Sequence, residues 1–415
     1  MRVKLQNQTT PVPLSGREMF QRALAAPVVD LDELRDLVRA YGLPDETKLR
    51  PVVWQLLLNY LPESQKDRAS FVAAKRAEYA QFCQELVRDA SSLTASPAAT
   101  PCSSSSDLPR RVQQDHPLSS HQDSSWNAFF ADAATQEQIA RDVDRTHPDL
   151  HFFCGTGPRP SRHRAAMRRA LFVYAKLNPG LSYVQGMNEV FAPLYYVLCC
   201  QDEARSSEDE AEDGDENQAD PATDSSASPA PGPAAAPLKH SLPAHHATAD
   251  PLLAPSPSQD PRAAEADAFF CFVALMSEFR DNFCHALDES SEGIRAALAR
   301  LSASLRGLDP ELSSHLEQRN GVAPHYYAFR WLTLLLTQEF AFPDVLRLWD
   351  TLLASPPGQK PPCLARLALA MLLLARDQIL EGDFGANVRL LQHYPAADVG
   401  VIVQRASLLQ SYGRC

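Results

Sequence analysis

Residues 269–279 read Phe-Phe-Cys-Phe-Val-Ala-Leu-Met-Ser-Glu-Phe, and their spacing decides the fold class. Phe269, Phe272, Val273, Met276 and Phe279 recur at three- and four-residue steps, which places them on one face of a helix. The same period continues on both sides. Downstream, Phe329, Leu332, Leu335 and Leu336 line a second helical face, and Leu364 to Leu380 reads as one long apolar helix, buried all round. Upstream, Val53, Trp54, Leu57 and Leu61 form a stripe on a helix that begins near Pro51, a residue suited to a first turn. Asp30 opens a helix that Gly42 and Pro44 stop, and another covers about 68–88. Thr135 is the expected cap of a helix over 136–145. His163 to Leu177 forms the next, closed by Asn178-Pro179-Gly180, and an apolar helix follows Gly186 as far as Cys200. No strand–helix alternation occurs. The expectation is an all-α protein with one large helical core.

Two stretches interrupt that core. Residues 90–122 are rich in Ser, Pro and Ala, and residues 202–262 begin acidic and continue in Pro, Ala, Ser and His. Neither has apolar periodicity, so burial cannot offset the entropy of ordering them, and both read as long disordered loops. The expected organisation is an N-terminal region over 1–30, a helical domain over 31–390 carrying both loops, and a C-terminal helix and tail over 391–415.

Charge and cysteines narrow the class. The net charge is −12 over 415 residues, and the acids of 202–220 set against Arg205 hold −9 of it. The remainder is close to neutral and has no basic field to attract nucleic acid or anionic lipid. The cysteine number is odd, at nine, with no CxxC pair, which fits reduced thiols in the cytoplasm. The apolar runs near 190–200 and 363–375 are too short to span a bilayer, so direct membrane insertion is not expected. The sequence contains no G-x-x-x-x-G-K-[ST], no H-E-x-x-H and no G-x-S-x-G, and its histidines do not cluster at metal spacing. It is therefore not expected to be an enzyme with its own nucleotide, metal or covalent chemistry.

Two short polar segments set among apolar ones remain. Ile139-Ala-Arg-Asp142-Val-Asp-Arg145-Thr146 places Asp142 and Arg145 at i,i+3, where they can pair. Alone, such a pair is a surface salt bridge worth a few tenths of a kcal/mol. Tyr183-Val-Gln185-Gly186-Met-Asn188 follows the Pro179-Gly180 turn and leads into a helix. Alone, Gln185 is a solvated loop residue and Gly186 only permits the turn.

Together and in this order, I-x-x-D-x-x-R-T and Y-x-Q-G-M-N resemble the two fingerprint motifs of the TBC (Tre-2/Bub2/Cdc16) domain family, the Rab GTPase-activating proteins. Leu49-Arg50-Pro-Val-Val-Trp54 is similar to the family's R-x-x-x-W motif. Phe329-Arg330-Trp331-Leu332, Glu339-Phe340 and Leu348-Trp349-Asp350 are similar to its late helices. The resemblance implies that Arg145 and Gln185 are an arginine finger and a glutamine finger supplied in trans to a GTP-bound Rab. It also implies that Mg and GTP are held by that partner and no cofactor by this chain. Asp142 would orient Arg145, while Tyr183 and Gly186 would shape the glutamine loop. Arg50 and Trp54 would lie near the catalytic groove, although a Trp at helical spacing also reads as core. The implied role is regulation of vesicle trafficking and intracellular protein transport, from the cytoplasm, with transient recruitment to membranes through partners. A catalytically inactive TBC-fold scaffold or Rab effector is the alternative.

Overall fold

In the computed structural model the described residues are 15–44, 49–87, 125–212, 262–284, 287, 290 and 293–409. They are helical almost throughout, and among them the one β-type contact is an isolated bridge between Val28 and Ser64. The expected loop over 90–122 lies outside the described residues, as does 213–261 of the second. The backbone of the helix that begins at Met187 continues to Glu212, into the start of that second stretch.

The first four helices are α1 (Gly16–Ala25), α2 (Leu31–Tyr41), α3 (Leu49–Leu57) and α4 (Gln65–Leu86). Asp30 caps α2, its carboxylate accepting from the backbone N–H groups of Asp32 and Glu33 at 2.8 and 3.1 Å. Gly42, at φ +67°, ends the helix. The central helices are α5 (Ser125–Val143), α6 (Pro158–Leu177), α7 (Met187–Glu212) and α8 (Ala263–Phe279). The C-terminal set comprises α9 (Ile294–Leu308), the short α10 (Pro310–Ser313), α11 (Ala328–Thr333), α12 (Phe342–Leu353), α13 (Lys360–Leu374), α14 (Arg376–Glu381), α15 (Phe384–Gln392) and α16 (Val399–Leu409). One hydrophobic cluster runs from Phe20 to Leu409.

Helix α8 shows how the chain resumes after the second long loop. It packs against α7, α4 and α6, and its first turns carry two buried acids. Glu265 accepts from the Tyr79 hydroxyl at 2.6 Å and is paired by the Arg169 guanidinium; Asp267 accepts from Tyr60 at 2.6 Å and from Arg76 at 3.0 and 2.7 Å. Buried carboxylates at a helix start are tolerated because each has charged and hydroxyl donors from other helices. Those donors also fix the register of α8 against α4 and α6.

Four details differ from the sequence expectation. Thr135 is not a cap: α5 begins at Ser125, and the Thr135 hydroxyl donates to the Ala131 carbonyl inside it. The stretch 364–380 is two helices, broken at Ala375, and Leu374 at the break is exposed, so the segment is not buried all round. Val273 and Phe329 are exposed at the edges of otherwise buried faces. Leu335 and Leu336 are buried but not helical: α11 stops at Thr333, and both leucines have positive φ, +52° and +63°.

Opposite ends of the chain are joined by one buried contact. The Arg50 Nε and Nη2 donate to the Asp350 carboxylate at 3.0 Å each, and the Trp54 indole N–H donates to the same carboxylate at 2.7 Å. Arg50, Trp54 and Asp350 are all buried, and the rings of Trp54 and Trp349 lie 5.9 Å apart. Removing one partner from a buried ion pair costs about 3–5 kcal/mol, because the other charge stays desolvated. Asp350→Ala is expected to lower stability by about that amount, read as a lower chemical-denaturation midpoint. A loss below about 1 kcal/mol, the scale of an exposed pair, would show that the contact does not hold α3 to α12.

Candidate functional site

The two polar segments meet around one carboxylate. Helix α5 ends at Val143, so Arg145 sits on the turn just beyond it rather than within it. Its side chain is 69% exposed, and its Nη2 donates to Asp142 Oδ1 at 2.6 Å. Arg145 Nε donates to the Arg141 carbonyl at 3.2 Å. Asp142 is buried, and its other oxygen accepts from the Tyr183 hydroxyl at 2.9 Å. The Asp142 carboxylate therefore holds the guanidinium with one oxygen and the glutamine loop with the other. Burial, followed by the charge of Asp142, pushes the Tyr183 phenol well above its ordinary pKa and keeps it a donor.

Asn188 completes the junction. Its Oδ1 accepts from the Gly186 N–H at 3.2 Å, and its Nδ2 donates to Thr146 Oγ1 at 2.8 Å and reaches the Asp142 carbonyl at 3.3 Å. Thr146 returns its hydroxyl proton to the Asp142 carbonyl at 3.1 Å. One buried amide thus fastens the end of α5 to the start of α7 and uses both its donor and acceptor sides. Gln185 lies between Tyr183 and Gly186, both buried and both tied to this junction, and is itself exposed. Gly186 has φ +103°, a region that a side chain rarely adopts. A Cβ there would also stand 2.5 Å from Leu334 Cδ2.

The structure therefore brings Asp142, Arg145, Tyr183, Gln185 and Gly186 together. The side chains of Arg50 and Trp54 instead make their bonds to Asp350, in the buried contact between α3 and α12. The second motif ends at Asn188 but its spacing assigns that residue no role, and Glu189 lies just beyond the motif, although a signal was present for both. Both are polar residues in the run Met187-Asn-Glu-Val-Phe-Ala192, where every apolar neighbour is buried.

Glu189 accepts from Asn188 Nδ2 at 3.1 Å and is bonded by Gln338. Burial pushes its carboxyl up to about 7; the bonds from Gln338 and Asn188 oppose the rise, and the charge of Asp142 adds to it. His147, at φ +41°, places Nε2 3.6 Å from Glu189 Oε2. Burial lowers its pKa to about 4 against the pull of Asp149, so the imidazole is neutral where Glu189 titrates.

The comparisons with known proteins agree with the helical fold. The Rab-GTPase-TBC domain family model matches residues 47–208 and 249–380. The chain belongs to the TBC domain family of Rab GTPase-activating proteins. TBC1 domain family member 13 of Homo sapiens is 33% identical over 94% of this chain and 96% of its own length. TBC1 domain family member 5 of Homo sapiens is 27% identical over 88% of this chain and 41% of its own length. The crystal structure of the Ypt/Rab-GAP domain of Gyp1p shares the fold, with a TM-score of 0.66 at 23% identity, covering 96% of this chain and 99% of that one. No helix among the described residues is long and apolar enough to cross a membrane.

A carboxyl with a raised folded pKa is protonated in the native state while the unfolded chain has already released its proton. Its contribution to stability is therefore lost as pH rises from about 4.5 to about 7. The neutral amide of Glu189→Gln does not titrate. The stability of that variant relative to the parent chain is expected to increase across this window and level off above it, read by denaturation at a series of pH values. A difference that is constant with pH would mean that Glu189 is ionised in the fold.

Proposed function

We propose that this chain accelerates GTP hydrolysis on a Rab GTPase by inserting Arg145 and Gln185 into the partner's active site. The observation that carries the reading is the shared carboxylate of Asp142, which holds the exposed Arg145 guanidinium with one oxygen and the Gln185 loop, through Tyr183, with the other. Two exposed polar side chains of the kinds that phosphoryl transfer needs are thus presented from one buried junction.

The chemistry follows from those groups. Transfer of a γ-phosphoryl group to water spreads negative charge over the phosphate oxygens and requires the water in line. The Arg145 guanidinium supplies fixed positive charge and paired donors for that charge. The Gln185 amide accepts a proton bond from the attacking water and donates to the phosphate, which orients the nucleophile. Asp142 limits the rotamers of Arg145 before the partner arrives, lowering the entropy lost on docking. Mg and GTP belong to the partner, in its GTP-bound state, and this chain contributes side chains rather than a reaction of its own. The role is regulation of vesicle trafficking, carried out in the cytoplasm and on membranes reached through partners.

Single-turnover GTP hydrolysis by a panel of purified Rab proteins tests the proposal. The chain is expected to accelerate at least one of them, and Arg145→Ala to reduce that acceleration by about 10³–10⁵. Gln185→Ala is expected to remove most of it. Arg145→Lys retains the charge but not the planar fork and should be nearly as inactive as the alanine variant. Acceleration that survives both alanine substitutions would sink the two-finger mechanism. Binding of a GTP-loaded Rab with no acceleration would make the chain a scaffold or effector.

A further inference from the structure

The turn after α11 runs against the glutamine loop. Leu334 ends the helix, and its Cδ2 occupies the space that a side chain on Gly186 would need. The two residues after it, Leu335 and Leu336, are both left-handed, a conformation that costs a non-glycine residue about 1–2 kcal/mol. Strain of this kind persists where surrounding contacts over-determine it, and three such contacts are present. The Trp349 indole N–H donates to the Leu335 carbonyl at 3.1 Å, and the Leu336 N–H returns to the Trp331 carbonyl at 3.1 Å. Arg330 donates to both oxygens of Glu339 at 2.7 and 2.8 Å, closing the base of the turn. Beyond the leucines, Gln338 bonds Glu189, next to the Asn188 that receives the Gly186 N–H.

A continued helix would carry Leu334 to Leu336 with right-handed backbone and a different side-chain direction. The left-handed pair instead delivers Leu334 into the notch left by the absent Gly186 side chain. We propose that Leu334, held in place by the left-handed Leu335–Leu336 turn and by Trp349, is a positioning residue that sets the placement of the Gln185 loop. The proposal rests on Gln185 acting as the glutamine finger. It also gives the Arg50–Trp54–Asp350 contact a second consequence. The ring of Trp349 packs on Trp54, and Trp349 immediately precedes Asp350 in sequence, so the contact that joins α3 to α12 also fixes the donor that pins Leu335.

The experiment uses the full chain and the Rab that the panel identifies as responsive. Leu334 is half-buried, so Leu334→Ala should fold. It is expected to keep the parent denaturation midpoint to within a few degrees and to keep KM for the GTP-bound Rab. Its kcat should fall by about ten- to a hundredfold, the scale of a small misplacement of a catalytic group. Leu334→Met, which refills the notch with a similar volume, is expected to restore most of the rate. Hydrogen–deuterium exchange provides a readout independent of activity: the peptide spanning 181–187 should exchange several-fold faster in Leu334→Ala, with the core helices unchanged. In the Gln185→Ala background, Leu334→Ala should cost nothing further.

Unchanged exchange over 181–187, or an equal loss of rate with and without Gln185, would overturn the positioning role while leaving the finger assignment intact. A Gln185→Ala variant as active as the parent chain would instead remove the finger reading on which the proposal rests.

Discussion

The Asp350 carboxylate is the constraint on which the arrangement depends. It is buried, and so are the Arg50 guanidinium and Trp54 indole that donate to it. Desolvating such charges is costly, and their mutual attraction returns that cost only with good geometry. The contact is consequently weak evidence for extra stability; its demand is geometric, since α3 and α12 must meet so that both donors reach one carboxylate. Contacts at its edge depend on that geometry. Trp349 packs on Trp54 and holds the Leu335 carbonyl, and the strained turn at Leu335 and Leu336 then reaches the glutamine loop.

A second buried carboxylate, Asp142, works differently because one of its partners is at the surface. Tyr183 holds the carboxylate from within, the Asn188 amide holds the backbone carbonyl of the same residue, and Arg145 extends from the carboxylate into solvent. An exposed pair contributes little to stability through solvent screening; its effect is to restrict where a mobile guanidinium can be. Glu189, one residue beyond Asn188, places another buried acid near Asp142. Burial and the nearby charge of Asp142 raise the pKa of Glu189 to about 7, so below that pH the protonated form is favoured.

Much of this was legible in the chain. The three-to-four periodicity of Phe269, Phe272, Met276 and Phe279 gave a buried helical face, and all four are buried. Asp30 and Gly42 marked the ends of α2 because caps and left-handed stops are local devices. Asp142 and Arg145 do pair, as their i,i+3 spacing allowed, whereas the bond from Tyr183 to Asp142 joins segments forty-one residues apart and was not in the spacing. The misreadings arose where a local pattern met a tertiary demand. Phe329, Leu332, Leu335 and Leu336 have helical periodicity, yet the last two are left-handed because Trp349 and Trp331 capture that backbone. Thr135 is a good cap in isolation, but its helix begins earlier and uses it as an interior residue bonded to the preceding turn.

The sequence by itself determined the helical class, the family and the identity of the two exposed polar side chains, because periodicity and short motifs depend on neighbours within a few residues. Only the tertiary structure decided that Arg50 and Trp54 serve Asp350, three hundred residues away, that Asn188 joins the two motifs, and that Leu334 fills the space beside Gly186. Those assignments depend on which buried donors and acceptors meet across helices distant in the chain. A buried polar group must find its partner wherever the packing places one, and spacing along the sequence carries no record of that.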